Sequence, residues 1–226
     1  MAIVKESLLE PLVKSPSLPL YYQRLGALLD AEQRRREQFY ETITEEQKAE
    51  FINGEVIVQL PVKLEHELAS NNLNKLLSTY VALHKLGYAG HEKMLVALTR
   101  NDYEPDVCFW NQAKAAQFHA SQMRFPAPDF IAEVLSPSTE VIDRTIKFDD
   151  YAAHGVQEYW IIAPEQQNIE QYILAASGYV LQQKTDSGIV RSVAVPGFEI
   201  PAQAIFDRKA HLETLRSLLQ TGAIDD

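Results

Sequence analysis

The stretch PDFIAEVLSPSTEVIDRTIKFDDYAAHGVQEYWIIAP, residues 128–164, carries the strongest structural pattern in the chain. It begins with an apolar run, residues 128–135, that is typical of a buried central strand. The SPST that follows ends this run and supplies hydroxyl groups that can cap a helix over about 140–154. EYWIIAP then predicts a second buried strand. Because strand, helix and strand follow one another, the stretch predicts an α/β fold.

The flanking sequence extends this pattern in both directions. Asn53-Gly54 predicts a hairpin turn between two short strands, because this dipeptide favours the positive φ angles of tight hairpins. The remaining upstream segments are predicted as a loose arm over 1–18, helices over 20–39 and 64–86, strands over 94–99 and 106–110, and a polar connector over 111–125. Downstream, EYWIIAP, IEQYIL, YVLQQK and SVAV predict strands, FEIPAQAIF an extended segment, and residues 210–219 a closing helix. We therefore expect a mixed central sheet flanked by helices, with an N-terminal arm and helix at 1–40 and one α/β domain at 41–226.

The composition of the chain limits the classes of protein to which it can belong. The chain has 226 residues and a formal net charge of −10, and 46% of its residues are hydrophobic, as in ordinary globular proteins. No apolar run reaches the ~18–20 residues of a membrane span, and the N-terminus lacks the pattern of a secretory signal. Its single cysteine, Cys108, is expected in the core and excludes an intramolecular disulfide. These features predict a cytoplasmic protein that does not coat nucleic acid through charge alone.

Glu133 is the most informative residue for function. It lies inside the apolar strand, where an unpaired carboxylate is costly to bury. Alternation places Ile131, Glu133 and Leu135 on one face of the strand. Glu133 is therefore expected either to point into a metal or catalytic site, or to form a buried salt bridge with an arginine.

Three further residues are candidates for the same functional site as Glu133. Asp106 stands at the head of the strand at 106–110, and two carboxylates at neighbouring strand ends would suit magnesium. Lys147 lies on the following helix, where an i,i+4 pair with Asp143 is the simpler interpretation. Glu55 directly follows the hairpin turn. His66, near the start of the long helix, is interpreted as a surface or capping residue.

The sequence lacks the local signatures of several enzyme classes. It contains no G-x-S-x-G, no P-loop and no G-x-G-x-x-G motif. Serine-hydrolase, nucleotide-kinase and dinucleotide-oxidoreductase functions therefore have no support from motifs.

The string EPDVCFW, followed by E-V-L-S-P-S-T, D-x-x-x-K and Y-x-x-x-G-V-x-E-Y-W-I-I, resembles the Uma-type restriction endonuclease family of the PD-(D/E)xK nuclease superfamily. The resemblance covers about residues 38–185, including EFINGEVI. It implies a restriction-endonuclease-like core, with a mixed central sheet flanked by helices. In the superfamily pattern a lysine lies two residues after the second acidic position. Leu135 stands there in this chain, which is a departure from the pattern.

The resemblance also implies roles for individual residues. Asp106 and Glu133 would match the two acidic positions, Lys147 a displaced lysine, and Glu55 an additional acidic residue. Asp106, Glu133 and the backbone carbonyl of Val134 would hold Mg²⁺, for which Mn²⁺ can substitute. Such a metal would activate water and stabilise charge on the scissile phosphate. Lys147 would orient or help deprotonate that water, or neutralise the phosphate.

Three functional hypotheses remain open at this point. The first is a magnesium-dependent endonuclease that hydrolyses phosphodiester bonds in DNA and works as a homodimer, since a two-fold enzyme can cut both strands. The second is a catalytically idle nuclease-like scaffold that binds nucleic acid or protein. The third is a metal-dependent hydrolase of another phosphate ester.

Overall fold

The structure is a computed structural model, which describes residues 6–44 and 47–221 of the chain. Across these residues, no helix is both long and apolar enough to cross a membrane. The helices are α1 (Glu6–Val13), α2 (Leu18–Thr42), α3 (Leu64–Leu83), α4 (Gln112–Ala115), α5 (Glu140–Arg144), α6 (Ile146–Ala153) and α7 (Arg208–Thr221), with a 3-10 turn at Ala202–Ala204. The strands are β1 (Ala49–Ile52), β2 (Glu55–Val58), β3 (Gly87–His91), β4 (Leu95–Ala97), β5 (Asp102–Tyr103), β6 (Val107–Asn111), β7 (Arg124–Phe125), β8 (Phe130–Val134), β9 (Glu158–Ala163), β10 (Asn168–Ala175), β11 (Gly178–Thr185), β12 (Ile189–Arg191) and β13 (Glu199–Pro201).

A six-stranded mixed sheet forms the centre of the fold. Its strands lie in the order β11-β10-β9-β8-β6-β3. β8 and β9 run parallel and are joined through α5 and α6, whereas the other neighbours are antiparallel. The strand–helix–strand unit predicted from residues 128–164 is therefore confirmed at the middle of the sheet.

Alternation along β8 decides which core each of its side chains enters. Phe130, Ala132 and Val134 face the core cluster that contains the apolar side of α3. Ile131 faces the opposite cluster, which contains Tyr151 of α6. Because Glu133 shares the side of Ile131, the strand directs its carboxylate towards α6.

A second sheet, which contains the predicted hairpin, packs beside the first. Its five strands lie in the order β2-β1-β5-β4-β7. The hairpin turn matches its prediction, because Asn53 and Gly54 both have positive φ angles, 52° and 85°. Helix α2 is fastened to this sheet by Arg36, whose guanidinium donates to both oxygens of the buried Asp102 carboxylate.

Several boundaries differ from their predictions. The arm predicted as loose contains α1, and residues 1–5 of that arm lie outside the described residues. The helix predicted over 140–154 is broken at Thr145, whose φ of −127° and ψ of −79° depart from helical geometry. SVAV does not form a strand, because the backbone amides of Val193 and Ala194 donate to the Glu158 carboxylate instead of to a ladder. The single predicted sheet is three sheets, the third being the pair of β12 and β13.

Candidate active site

Asp106 and Glu133 meet where β6 and β8 lie side by side. Val107 pairs with Ala132 in this antiparallel ladder, so the two acidic residues are next to one another. The backbone amide of Asp106 donates to Glu133 Oε2 at 3.3 Å. The backbone amide of Val134 donates to Asp106 Oδ2 at 2.8 Å. The structure thus brings together the two carboxylates that the sequence selected.

Lys147 lies at the centre of a buried group of carboxylates. Its Nζ is 3.0 Å from Glu50 Oε1, 3.0 Å from Glu133 Oε1 and 3.1 Å from Asp143 Oδ1. Tyr151, one helical turn further on, donates its hydroxyl to Glu133 Oε1 at 2.8 Å. The i,i+4 pair of Asp143 and Lys147 therefore exists, but as part of a larger cluster rather than as a solvated helix pair.

Asp106 is held from the other side by two residues that were not predicted as part of the site. Lys48 Nζ lies 2.7 Å from Asp106 Oδ1. His66 Nε2 lies 3.4 Å from Asp106 Oδ2. His66 is buried, so its interpretation as a surface or capping residue is wrong. It faces inwards because it shares a side of α3 with Ala69, Ser70 and Leu73, which pack against the body.

The Glu133 carboxyl is poorly neutralised for a buried acid. Burial raises its pKa, Lys147 opposes this effect, and the neighbouring Asp143, Asp106 and Glu50 raise the pKa again, to about 8. The carboxyl therefore retains a proton to a higher pH than an ordinary glutamate does. A buried acid held in this state is typical of a site that receives a cation or transfers a proton.

Asp106 and Lys147 are shifted in directions that keep both of them charged. Burial raises the pKa of Asp106, but the positive charge of Lys48 and the contact with His66 together hold it well below its ordinary value. Burial lowers the pKa of Lys147, but Glu133, Glu50 and Asp143 raise it well above its ordinary value. Asp106 is therefore an anion at neutral pH, and Lys147 is an ammonium that does not lose its proton readily.

Glu55 does not join this cluster, which corrects the sequence expectation. Its side chain is exposed on the edge strand β2. No hydrogen bond or ion pair joins its carboxylate to the rest of the described chain. Glu50, on the inner strand of the same hairpin, is buried and contacts Lys147 instead. The physical reason is position in the sheet, because β1 lies between β2 and β5 whereas β2 has a free edge.

One signal in the sequence points to Glu50. AEFI, residues 49–52, places a glutamate in an apolar strand, as FIAEV does with Glu133, and all four residues of β1 are buried. No comparable signal marks Lys48, because a lysine before a strand is usually solvated.

A cleft of about 340 Å³ opens over the carboxylates. One wall comes from the segment between β2 and α3, and the other from the segment between β8 and α5. Its lining includes Glu50, His66, Asp106, Glu133, Val134, Asp143 and Lys147. The site is therefore reachable from solvent even though its charged side chains are largely buried.

The donors suit a hard divalent cation that binds together with its substrate. Within residues 6–44 and 47–221, no group of three His, Cys, Asp or Glu side chains is arranged to hold a metal ion. Mg²⁺ usually takes only one or two carboxylates and completes its shell with water and substrate phosphate, so Asp106 and Glu133 are sufficient. When fully ionised, four carboxylates (Glu50, Asp106, Glu133 and Asp143) face two lysines (Lys48 and Lys147), which leaves two negative charges uncompensated.

Comparison with known protein families yields one family model over most of the chain. The model described as "Uma2: Putative restriction endonuclease" matches residues 36–203. This span contains Lys48, Glu50, Asp106, Glu133 and Lys147 together.

Two individual proteins are also similar to this chain. The uncharacterised protein sll1609 of Synechocystis sp. is 32% identical over 129 residues, which cover 56% of this chain and 72% of that protein. A crystal structure described as a "putative nuclease belonging to DUF820" from Anabaena variabilis superposes with a TM-score of 0.64. That superposition covers 79% of this chain and 97% of the other at 17% identity, and it establishes the similarity of fold.

Proposed function

This chain belongs to the Uma2 restriction endonuclease family, and from that premise we propose that it is a metal-dependent endonuclease that hydrolyses phosphodiester bonds in DNA. The observation that carries the proposal is the meeting of Asp106 and Glu133 at neighbouring strand ends below an open cleft. A buried pair of carboxylates with excess negative charge would gain most from a divalent cation.

Asp106, Glu133 and the Val134 backbone carbonyl would hold Mg²⁺ or Mn²⁺. Glu50 and Glu133 both contact the Lys147 ammonium, so Glu50 would help to keep Glu133 in position through this lysine. When bound, such a metal lowers the pKa of a coordinated water and stabilises negative charge on the phosphate. The carboxylates of this chain supply hard oxygen donors, which is the ligand type that these ions prefer.

Lys147 and Tyr151 fix the Glu133 carboxylate for this task. Both groups contact Glu133 Oε1, the ammonium at 3.0 Å and the hydroxyl at 2.8 Å. Oε2 then remains directed towards Asp106. We propose that Glu133, oriented in this way, would bind the metal as a carboxylate and so position the attacking water, with Lys147 stabilising that carboxylate.

The acidic composition limits how the substrate is held. A net charge of −10 does not attract the DNA backbone over a broad surface. Binding is therefore expected to depend on the divalent cation and to weaken steeply with added salt.

The experiment is cleavage of supercoiled plasmid and of labelled oligonucleotides in Mg²⁺ or Mn²⁺, with EDTA as the metal-free condition. Wild type should nick or linearise DNA only with metal, and Asp106→Ala and Glu133→Ala should not. Absence of cleavage by the wild type across DNA of varied sequence, methylation and strandedness would refute the proposal. DNA binding that survives both substitutions would then support an idle scaffold, and release of phosphate from other esters a different hydrolase.

We also propose that the enzyme acts as a homodimer through the N-terminal half of α2. Leu25, Leu28 and Leu29 are exposed there, although the same helix packs Phe39 against Phe51 further along. A cluster of solvent-exposed leucines on one helix is typical of an association surface. Light scattering coupled to gel filtration should report a dimer for wild type and a monomer for Leu25→Glu/Leu28→Glu. A monomeric wild type would exclude this assembly.

A further inference from the structure

One wall of the cleft over the carboxylates is apolar. The segment between β2 and α3, together with the end of β2, forms this apolar wall, and its apolar lining residues are Ile57, Val58, Leu60, Pro61 and Val62. Ile57 packs partly into the protein core, but Leu60, Val58 and Val62 are 72%, 54% and 42% exposed. Apolar side chains gain free energy when they leave water, so a group of exposed ones in a functional cleft indicates contact with a ligand.

The opposite wall of the cleft is polar. Ser136, Ser138 and Thr139 line it, from the segment between β8 and α5. Their hydroxyl groups lie close together, since Ser136 Oγ is 3.0 Å from both Ser138 Oγ and Thr139 Oγ1. Serine and threonine hydroxyls are common partners of the phosphates and sugars of DNA. The polar wall therefore suits the backbone of a bound strand, and the apolar wall suits a different part of the nucleotide.

An apolar wall beside the scissile phosphate suits the face of a base better than it suits a paired duplex. In a duplex the bases are stacked on one another, and only their edges reach the surface, in the grooves. An unpaired base exposes its flat face, which packs against apolar and aromatic side chains. Leucine and proline are among the side chains that proteins insert between base steps to unstack them, and Leu60 and Pro61 are adjacent and exposed in this wall.

We propose that the apolar wall, through Leu60, Pro61 and Val62, holds the unstacked base next to the scissile phosphate, so that the cleft takes DNA as a single or locally unpaired strand. The proposal rests on the proposed nuclease function and names the form of its substrate. Nucleic acid is the occupant because the apolar wall is continuous with the candidate active site, since Asp106 and Glu133 line the same cleft. The net charge of −10 agrees with this assignment, because contact with a base face needs no positive protein surface.

The test uses two matched pairs of exposed apolar residues in the full-length protein. Leu60→Ser is compared with Leu64→Ser, because Leu64 is 71% exposed but lies outside the lining of the cleft. Val58→Thr is compared with Val56→Thr, because Val56 is 51% exposed on the same strand and also lies outside that lining. Thermal melting of each variant checks that folding is unchanged, which is expected for exposed side chains.

Affinity is measured by fluorescence anisotropy in Ca²⁺, a hard cation with oxygen ligands, for a single-stranded oligonucleotide, its continuous duplex and a duplex with a central unpaired bubble. Wild type should bind the single strand and the bubble about 10-fold more tightly than the continuous duplex, because opening base pairs costs free energy. Leu60→Ser should weaken single-strand binding about 10-fold, and Val58→Thr about 3-fold. The slope of log affinity against log salt should not change, because no phosphate contact is lost. Leu64→Ser and Val56→Thr should match wild type.

Three results would overturn the inference. One is tighter binding of the continuous duplex than of the single strand, and another is equal single-strand affinity of Leu60→Ser and wild type. The third is a change in oligomeric state of Leu60→Ser in gel filtration, which would assign the apolar wall to a second copy of this chain.

Cleavage separates this inference from the proposed function. If wild type cleaves the continuous duplex in Mg²⁺ and Leu60→Ser behaves identically, the nuclease function stands and the unpaired-base contact is excluded. If single-strand binding depends on Leu60 but no DNA is cleaved, the base contact stands and the nuclease function is excluded.

Discussion

Glu133→Gln is expected to make the metal-free protein more stable while it abolishes cleavage. Glu133 is buried and its pKa is raised from 4.5 to about 8. A folded-state pKa above the unfolded value means that the folded state binds more protons between these limits. Stability therefore falls as the pH rises from about 4.5 to about 8, at about 1.4 kcal/mol per pH unit.

The size of the effect follows from this window. At pH 7 the unfavourable contribution of Glu133 amounts to about 3 kcal/mol. A glutamine removes it but loses about 1 kcal/mol through weaker hydrogen bonds to Lys147, Tyr151 and the Asp106 amide. The net gain of about 2 kcal/mol corresponds to a rise in Tm of about 4–8 °C for a domain of this size.

The assay is thermal melting in EDTA from pH 5.5 to pH 8.5, with Glu55→Gln as the matched control on an exposed carboxylate. The advantage of Glu133→Gln over wild type should increase with pH and level off above about 8, and Mg²⁺ should raise the Tm of wild type only. A variant that melts below wild type at pH 7.5, or whose advantage does not depend on pH, would refute the assignment of Glu133 as an under-neutralised buried acid.

Three further predictions concern the same cluster and one distant ion pair. Glu50→Gln should lower plasmid cleavage about 10–100-fold, whereas Glu55→Gln should cleave at the wild-type rate; equal losses would contradict the placement of these two glutamates. Mg²⁺ binding near pH 7 should release close to one proton, since the Glu133 pKa is about 8, and calorimetry in buffers of different ionisation enthalpy measures this number directly. Glu170 is buried, which raises its pKa, but hydrogen bonds from Arg144 and other donors outweigh this and lower the pKa to about 2. Glu170→Gln should therefore cost about 1–3 kcal/mol at pH 7, and urea unfolding should show this deficit shrinking as the pH falls from about 4.5 towards 2.

In the central strand, the local sequence is sufficient to predict the environment of a functional side chain. A glutamate between apolar neighbours has few acceptable environments, because an isolated carboxylate is too costly to bury. Alternation then determines its face, and the structure places Glu133 on that face, among other ionisable groups. The Asn53-Gly54 turn was similarly predictable, since its positive φ angles are a local property of the two residues.

The local sequence pattern does not predict which of Glu50 and Glu55 is buried in the site. Both glutamates flank the same turn, and both belong to short strands with apolar neighbours. Only the pairing of β1 with β5 makes one of them internal and leaves the other on a free edge. Strand order depends on contacts between distant segments, which hairpin propensity does not contain.

The sequence by itself determined the strand–helix–strand centre of this protein, the burial of Glu133 and its association with Asp106 through a family pattern. Only the tertiary structure decided that Glu50, Lys48 and His66 surround these two carboxylates. The reason is physical: local dihedral preferences and hydrophobic periodicity act over a few residues. The electrostatics of the site instead depend on charges from distant parts of the chain, such as Lys147 and Glu50, that meet in a medium of low dielectric constant.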